Sequence, residues 1–123
     1  MADYEPGVCN IDKSGQRKRY ILGVSGLASG FLLSTASFIT SVSDLIFFGV
    51  AALLFIGFEG LFQGYESFCV AHASKGTYSE DGREENVEGE ESHIKDLEKA
   101  KKIHLKSIAA AAFTTAVLYL IQI

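Results

Sequence analysis

The chain has 123 residues, of which 48% are hydrophobic, and a formal net charge of −4. This length allows one domain at most. The hydrophobic residues lie in three long blocks without the regular polar stripe of a soluble core helix, and the basic residues flank these blocks. The hydrophobic content alone would suit a soluble protein, but this arrangement predicts a membrane protein and does not support nucleic-acid binding.

The first 19 residues are polar and are predicted to form a cytoplasmic arm. We expect no cleaved signal peptide, because the apolar block that comes after them is too long for a signal h-region. The arm ends in a basic run, Arg17, Lys18 and Arg19.

The first predicted span covers residues 20–40 and contains no charged residue. A membrane-spanning helix needs ~20 mostly apolar residues. Small residues recur in steps of three and four, which places them on one helix face. They are Gly23, Gly26, Gly30, Ser34, Ser37 and Ser41.

The second predicted span covers residues 45–70 and carries a matching set of glycines, Gly57, Gly60 and Gly64. Helices associate in lipid mainly through close packing of small residues. We expect the two glycine faces to pack the first two helices into a hairpin. The alternative is that one face dimerises or docks on a larger subunit.

Glu59 is the most costly residue of the second span, since a carboxylate at the centre of a membrane helix costs ~2.5–3.5 kcal/mol on insertion scales. Gln63 and Glu66 come four and seven residues after it, which makes one polar stripe. The functional interpretation is a proton or ion path, or a set of carboxylate ligands. The structural one is a hydrogen-bonding site between helices. The spacing is not a specific metal pattern, so we predict no metal site and no catalytic residue, and no specific motif implies a cofactor.

Cys69 lies at the inner end of the second span, and Cys9 lies in the arm on the same predicted side. A disulfide is not expected in a reducing cytoplasm. The two thiols are candidates for a reactive or persulfide-carrying site if a pKa is lowered. Inert buried cysteines are the commoner case. His93 and His104 are interpreted as ordinary helix residues.

Residues 75–92 are predicted to form an acidic cytoplasmic loop, because such a stretch cannot bury enough apolar surface to fold alone. The loop is either solvated or a docking surface for a basic partner. A third helix is expected over residues 93–122, starting near Ser92 and ending in the third span.

The basic residues predict the orientation of the chain. Arg17, Lys18 and Arg19 precede the first span, and Lys101 and Lys102 precede the third. Lysine and arginine mark the cytoplasmic side, so these topology anchors place the N-terminus inside and the C-terminus outside. The predicted fold is all-α, with three transmembrane helices. The predicted location is the plasma membrane, where the protein contacts the lipid bilayer.

Two short motifs resemble a known family. Asn10-Ile11, Arg19 and Leu22-Gly23 precede or enter the first span, and Phe68-Cys69 and Gly76 come after the second. Over residues 8–79 they resemble the small two-helix transmembrane domain found alone or fused to membrane-anchored rhodanese sulfurtransferases. The resemblance implies a helical hairpin with both ends cytoplasmic, often dimeric, and a cysteine at the inner face. Asp12 and Val70 depart from the family's glycine and proline, no rhodanese domain is present after the hairpin, and the third helix is an addition.

A second resemblance rests on the run from Pro6 to Ile11 and on Gln63 with Phe68-Cys69-Val70. These segments resemble small archaeal membrane proteins, including accessory subunits of enzymes such as the archaeal ammonia monooxygenase. Three functions stay open: a non-catalytic accessory subunit that assembles with other membrane subunits or with itself, a thiol-dependent sulfur or redox protein using Cys69 and Cys9, and a small oligomeric ion transporter using Glu59.

Overall fold

The computed structural model describes residues 4–40 and 43–123. In chain order its elements are α1 (Lys13–Thr40), α2 (Ile46–Tyr65), α3 (Val70–Lys75), β1 (Thr77–Glu80), β2 (Arg83–Asn86) and α4 (Glu90–Gln122). By length and composition α1, α2 and α4 are each able to cross a membrane. The prediction of a mostly helical fold with three long apolar helices is confirmed.

Helices α1 and α2 form an antiparallel hairpin through backbone contact at their glycines. A Cβ atom added to Gly26 would lie 2.6 Å from the backbone nitrogen of Gly57, and one added to Gly60 would lie 2.6 Å from that of Gly23. Both distances are too short for any side chain, so glycine is required for this approach. Gly30, Gly64 and Ser34 are buried along the same contact, whereas Ser41 lies outside the described residues.

Helix α1 begins at Lys13, well before the predicted span. Asp12 supplies the N-cap, because its Oδ1 accepts a hydrogen bond from the backbone N–H of Gly15 at 2.9 Å. The predicted arm of residues 1–19 is therefore shorter than expected, and its basic run belongs to the first turns of the helix.

The prediction that the second helix continues to residue 70 is wrong. Helix α2 ends at Tyr65, and Ser67 takes a left-handed conformation with φ 51°. The chain then passes through Phe68 and Cys69 before α3 begins. The backbone N–H of Val70 donates back to the side-chain oxygen of Gln63 at 3.2 Å, which holds the turn closed.

The prediction of an unstructured acidic loop over residues 75–92 is also wrong. The segment contains an antiparallel hairpin of β1 and β2, closed by Asp81 and Gly82 with φ values of 52° and 78°. Two consecutive positive φ angles suit the tight turn of a two-residue hairpin, for which Asp-Gly is a preferred pair. The hairpin is docked by the backbone N–H of Ser79, which donates to the carbonyl of Asn10 at 2.8 Å.

Helix α4 begins at Glu90, close to the expected start, and packs on α2, on α3 and on the N-terminal arm through one face. The buried residues of that face are Asp96, Ala100, Ile103, Ser107 and Ala111. Its far end is tied to α1, because the side-chain nitrogen of Gln122 lies 3.1 Å from both the carbonyl and the hydroxyl oxygen of Ser34. At the opposite end the N-terminal arm, the α2–α3 turn, α3, the hairpin and the first turns of α4 form a folded unit, which we call the polar cap.

Candidate functional site

The first candidate site is a polar cluster where α2 faces α4. The Oε1 atom of Glu59 accepts a hydrogen bond from the Gln63 side chain at 3.1 Å and lies 2.9 Å from Nδ1 of His104. Glu59 is 8% exposed, and its second oxygen, Oε2, has no hydrogen-bond partner among the described residues. The side chain of His104 is 45% exposed. The cluster thus joins a buried carboxylate to an imidazole that reaches the surface of the bundle.

The third member of the predicted stripe, Glu66, belongs to a separate ionic network at the edge of the polar cap. Its two oxygens contact Nζ of Lys99 at 2.7 Å and Nζ of Lys106 at 3.1 Å. Burial alone would raise the pKa of Glu66, but the hydrogen bonds and charges of the two lysines outweigh it and lower that pKa below its usual value. Lys106 also lies over the ring of Phe62 at 5.2 Å. Glu66 therefore fastens α4 to the end of α2.

The structure thus brings Glu59 and Gln63 together and gives Glu66 different partners. It also places the imidazole of His104 beside Glu59, a contact that the position of His104 in the sequence did not indicate. No local sequence pattern predicts this contact, because Glu59 and His104 lie on different helices. His93 also has a specific contact, with its Nε2 3.0 Å from the carbonyl of Ala73.

The second candidate site surrounds Cys69 in the polar cap. Cys69 is 1% exposed, and its Sγ accepts a hydrogen bond from the guanidinium of Arg19 at 2.9 Å. Its backbone is held by the carboxamide of Asn10. Cys9, also buried, directly precedes Asn10. The thiol of Cys69 is thus enclosed by the fold, which leaves a bulky substrate no direct approach.

Asp12 connects this region to the hairpin. Its Oδ1 caps α1 at Gly15, while its Oδ2 accepts from the backbone N–H of Gly82 at 2.8 Å and from the hydroxyl of Ser79 at 3.2 Å. The backbone donors at Gly15 and Gly82 hold the pKa of Asp12 below its usual value. One carboxylate therefore fixes both the start of α1 and the turn of the hairpin.

Asp96 plays a similar part on α4, where it is fully buried. It accepts hydrogen bonds from the hydroxyl of Tyr4 at 2.9 Å and from the backbone N–H of Gly7 at 2.8 Å. Burial, together with the hydrogen bond to Asp96, raises the pKa of Tyr4 well above its usual value. Tyr4 in turn stacks on Tyr78, with ring centroids 4.2 Å apart. The arm is thus fastened to both α4 and the hairpin.

The topology anchors lie around the polar cap. Arg17, Lys18, Lys101 and Lys102 are exposed, and within the described part of the chain none of them makes an ion pair. Within residues 4–40 and 43–123 no group of three or more histidine, cysteine or acidic side chains is arranged to hold a metal ion.

Comparison with known proteins identifies no relative of this chain: no family model, no curated protein and no solved structure matches it. Its residues and their geometry are therefore the basis for proposing a function.

Proposed function

We propose that this protein is a non-catalytic subunit of a multi-pass membrane complex and that α4 carries its docking face. One observation carries the proposal. Of the three long helices, α4 buries the smallest share of its most apolar stretch, 17%, against 28% for α1 and 33% for α2. The apolar stretch of α4 is held by Glu66 near its start, at Lys106, and by Ser34 near its end, at Gln122. Most of its surface between these points is uncovered, so it is suited to receive another helix.

The exposed side of α4 has the composition of a helix-packing surface. Ala109, Ala112 and Ala116 are all exposed and lie three and four residues apart, so they share one helix face. Small residues let two helix backbones approach closely in lipid, where the hydrophobic effect does not drive association. The partner we propose is therefore a transmembrane helix of another protein.

The same proposal places the N-terminus and the polar cap in the cytoplasm and the C-terminus outside the plasma membrane. It is supported by the basic residues on both sides of the cap, Arg17 to Arg19 on α1 and Lys101 and Lys102 on α4, because such residues are enriched on the cytoplasmic side.

Co-purification tests the docking face. The full chain, extracted in a mild detergent after cross-linking in native membranes, is expected to bring down another integral membrane protein. Ala112→Leu should abolish this, since a larger side chain blocks close approach. The matched control is Ala36→Leu, the same change at an exposed position of α1, and it should retain the partner. A chain that is isolated alone, or only with copies of itself, contradicts the proposal, as does equal loss in both variants.

A second candidate, proton or ion transfer, is favoured by the buried Oε2 of Glu59, which has no partner within the described residues, and by the exposed imidazole beside it. Polar atoms buried without a partner are uncommon and call for an explanation. In liposomes Glu59→Gln should reduce flux at least about tenfold if the carboxylate carries the proton. Glu85→Gln, an exposed residue of the hairpin, is the control. Unchanged flux in Glu59→Gln removes this candidate.

A further inference from the structure

A cavity of about 200 Å³ lies where the first turns of α1 meet α3 and the hairpin. Its lining residues include Lys18, Arg19 and His72, together with Asp12 and Gly82. It is distinct from the Glu59 cluster and from the exposed face of α4. The cavity is polar and is walled by the N-terminal end of the first long apolar helix.

Two cations of this lining have no acidic partner among the described residues, since neither Lys18 nor Arg19 takes part in an ion pair there. The guanidinium of Arg19 gives one hydrogen bond to Sγ of Cys69, and a thiol is a weak acceptor for a group with five N–H donors. Most of the hydrogen-bonding capacity of Arg19 is therefore unused by the described part of the protein.

The carboxylate of Asp12 in the lining forms no ion pair with these cations. Both of its oxygens are occupied, by the N–H groups of Gly15 and Gly82 and by the hydroxyl of Ser79. Burial lowers the pKa of His72 below its usual value, so the imidazole adds little charge at neutral pH. The cavity thus offers Lys18 and Arg19 as donors to an anion, while the hydrogen bonds of Asp12 are directed to Gly15, Ser79 and Gly82.

The depth of the cavity indicates which anion reaches it. Lys18 and Arg19 directly precede Tyr20, where the uncharged stretch of α1 starts. In a spanning helix such residues lie at the level of the lipid headgroups. Basic pockets beside transmembrane helices on the cytoplasmic side bind anionic headgroups.

We propose that this cavity binds the phosphate group of a membrane phospholipid, with Lys18 and Arg19 as its ligands. Arginine suits a phosphate because its planar fork donates two parallel hydrogen bonds. The proposal does not depend on the docking face of α4, and either can fail without the other.

Native mass spectrometry of the full chain in detergent tests the site. Wild-type protein should retain phosphatidic acid and should not retain diacylglycerol, which differs from it by the phosphate. Lys18→Gln should weaken retention about tenfold, as expected for the loss of one charge-assisted contact to phosphate. Lys13→Gln is the matched control, because Lys13 is also an exposed lysine at the start of α1 but does not line the cavity.

A second variant separates charge from geometry. Arg19→Lys keeps the positive charge but removes the fork, and it should weaken retention while leaving the circular dichroism spectrum unchanged. Equal retention of phosphatidic acid by Lys18→Gln and Lys13→Gln overturns the proposal, as does equal retention of diacylglycerol by the wild type. Displacement of phosphatidic acid by millimolar inorganic phosphate would show a site for the free anion and would also overturn the lipid assignment.

Discussion

The carboxamide of Asn10 holds the backbone of Cys69 at both of its polar groups. Its Oδ1 accepts from the Cys69 N–H at 2.6 Å, and its Nδ2 donates to the Cys69 carbonyl at 3.0 Å. The backbone of Asn10 also donates to Ser67 and accepts from Ser79. A single fully buried residue therefore joins the arm, the α2–α3 turn and β1.

Asn10→Asp tests the importance of this junction. The change keeps the shape of the side chain but replaces a donor with an oxygen that faces the Cys69 carbonyl. We expect the free energy of unfolding to fall by about 2 kcal/mol, which is the cost of a buried polar group left without its partner. Thermal unfolding in detergent, followed by circular dichroism, measures it. Asn86→Asp, at an exposed position of β2, should unfold like the wild type. Equal midpoints for the two variants would contradict a structural role for Asn10.

Asp12 should make the stability of the polar cap depend on pH. Its pKa is lowered in the folded chain by the backbone donors at Gly15 and Gly82, from a usual value of 3.8. The ionised carboxylate therefore stabilises the fold fully above about pH 3.8, and this contribution is lost as the pH falls through the lower folded pKa. We expect Asp12→Asn to lower the free energy of unfolding by about 1 kcal/mol at pH 7, because the amide nitrogen that replaces Oδ2 cannot accept a hydrogen bond from the backbone N–H of Gly82.

The difference between the wild type and Asp12→Asn should shrink as the pH falls below 3.8, because Asp12 is then protonated first in the unfolded chain and, at still lower pH, in the folded chain as well. Unfolding midpoints between pH 7 and pH 3 measure it. Asp81→Asn serves as the control, since Asp81 is exposed in the hairpin turn and asparagine tolerates its positive φ. A constant difference at all pH values would show that the charge of Asp12 is not what stabilises the cap.

The contact of α1 with α2 should be intolerant of a single methyl group at Gly26. A Cβ atom there meets the backbone nitrogen and Cα of Gly57 at 2.6 and 2.8 Å, and neither atom can move without separating the helices. We expect Gly26→Ala to lower the free energy of unfolding by about 3 kcal/mol, at the upper end of the range for overpacking. At Gly49 the nearest atom would be the Leu33 side chain at 3.5 Å, so Gly49→Ala should be neutral or stabilising by up to about 1 kcal/mol.

Denaturant titrations of the two alanine variants in mixed micelles measure this difference. Similar midpoints for Gly26→Ala and Gly49→Ala would mean that the helices of the hairpin are not in backbone contact.

The sequence was sufficient to predict the three long helices, because an uncharged block of spanning length is a local property. It also contained the signal for the hairpin, Asp81-Gly82, which the acidic composition of the segment obscured. The contacts between distant segments were not predictable in this way. Asn10 with Cys69 and Glu59 with His104 each join residues that no spacing rule connects.

The buried face of α4 shows the same limit. Apolar periodicity draws attention to Ile94 and Leu97, yet these residues are 48% and 42% exposed, while Asp96 between them is fully buried. The reason is tertiary, since Tyr4 and Gly7 satisfy the carboxylate of Asp96, and a buried carboxylate is tolerated only with such partners. Sequence pattern alone does not reveal which polar residue will find donors.

Cys69 should react slowly with alkylating reagents in the folded protein. Cys69 is 1% exposed, and its Sγ accepts a hydrogen bond from Arg19. The reagent therefore reaches the thiol only when the α2–α3 turn opens locally. Two single-cysteine proteins are compared. Cys9→Ala leaves Cys69 as the one thiol, and Cys9→Ala with Cys69→Ser and Ser74→Cys places the one thiol on the exposed side of α3. Maleimide should label Cys69 at least about tenfold more slowly than Cys introduced at position 74. Both should label equally in denaturing detergent.

Adding Asn10→Asp should speed the labelling of Cys69, because that change releases its backbone. Rapid labelling of Cys69 in the otherwise intact fold would contradict its enclosure and would favour the thiol-dependent function over assembly.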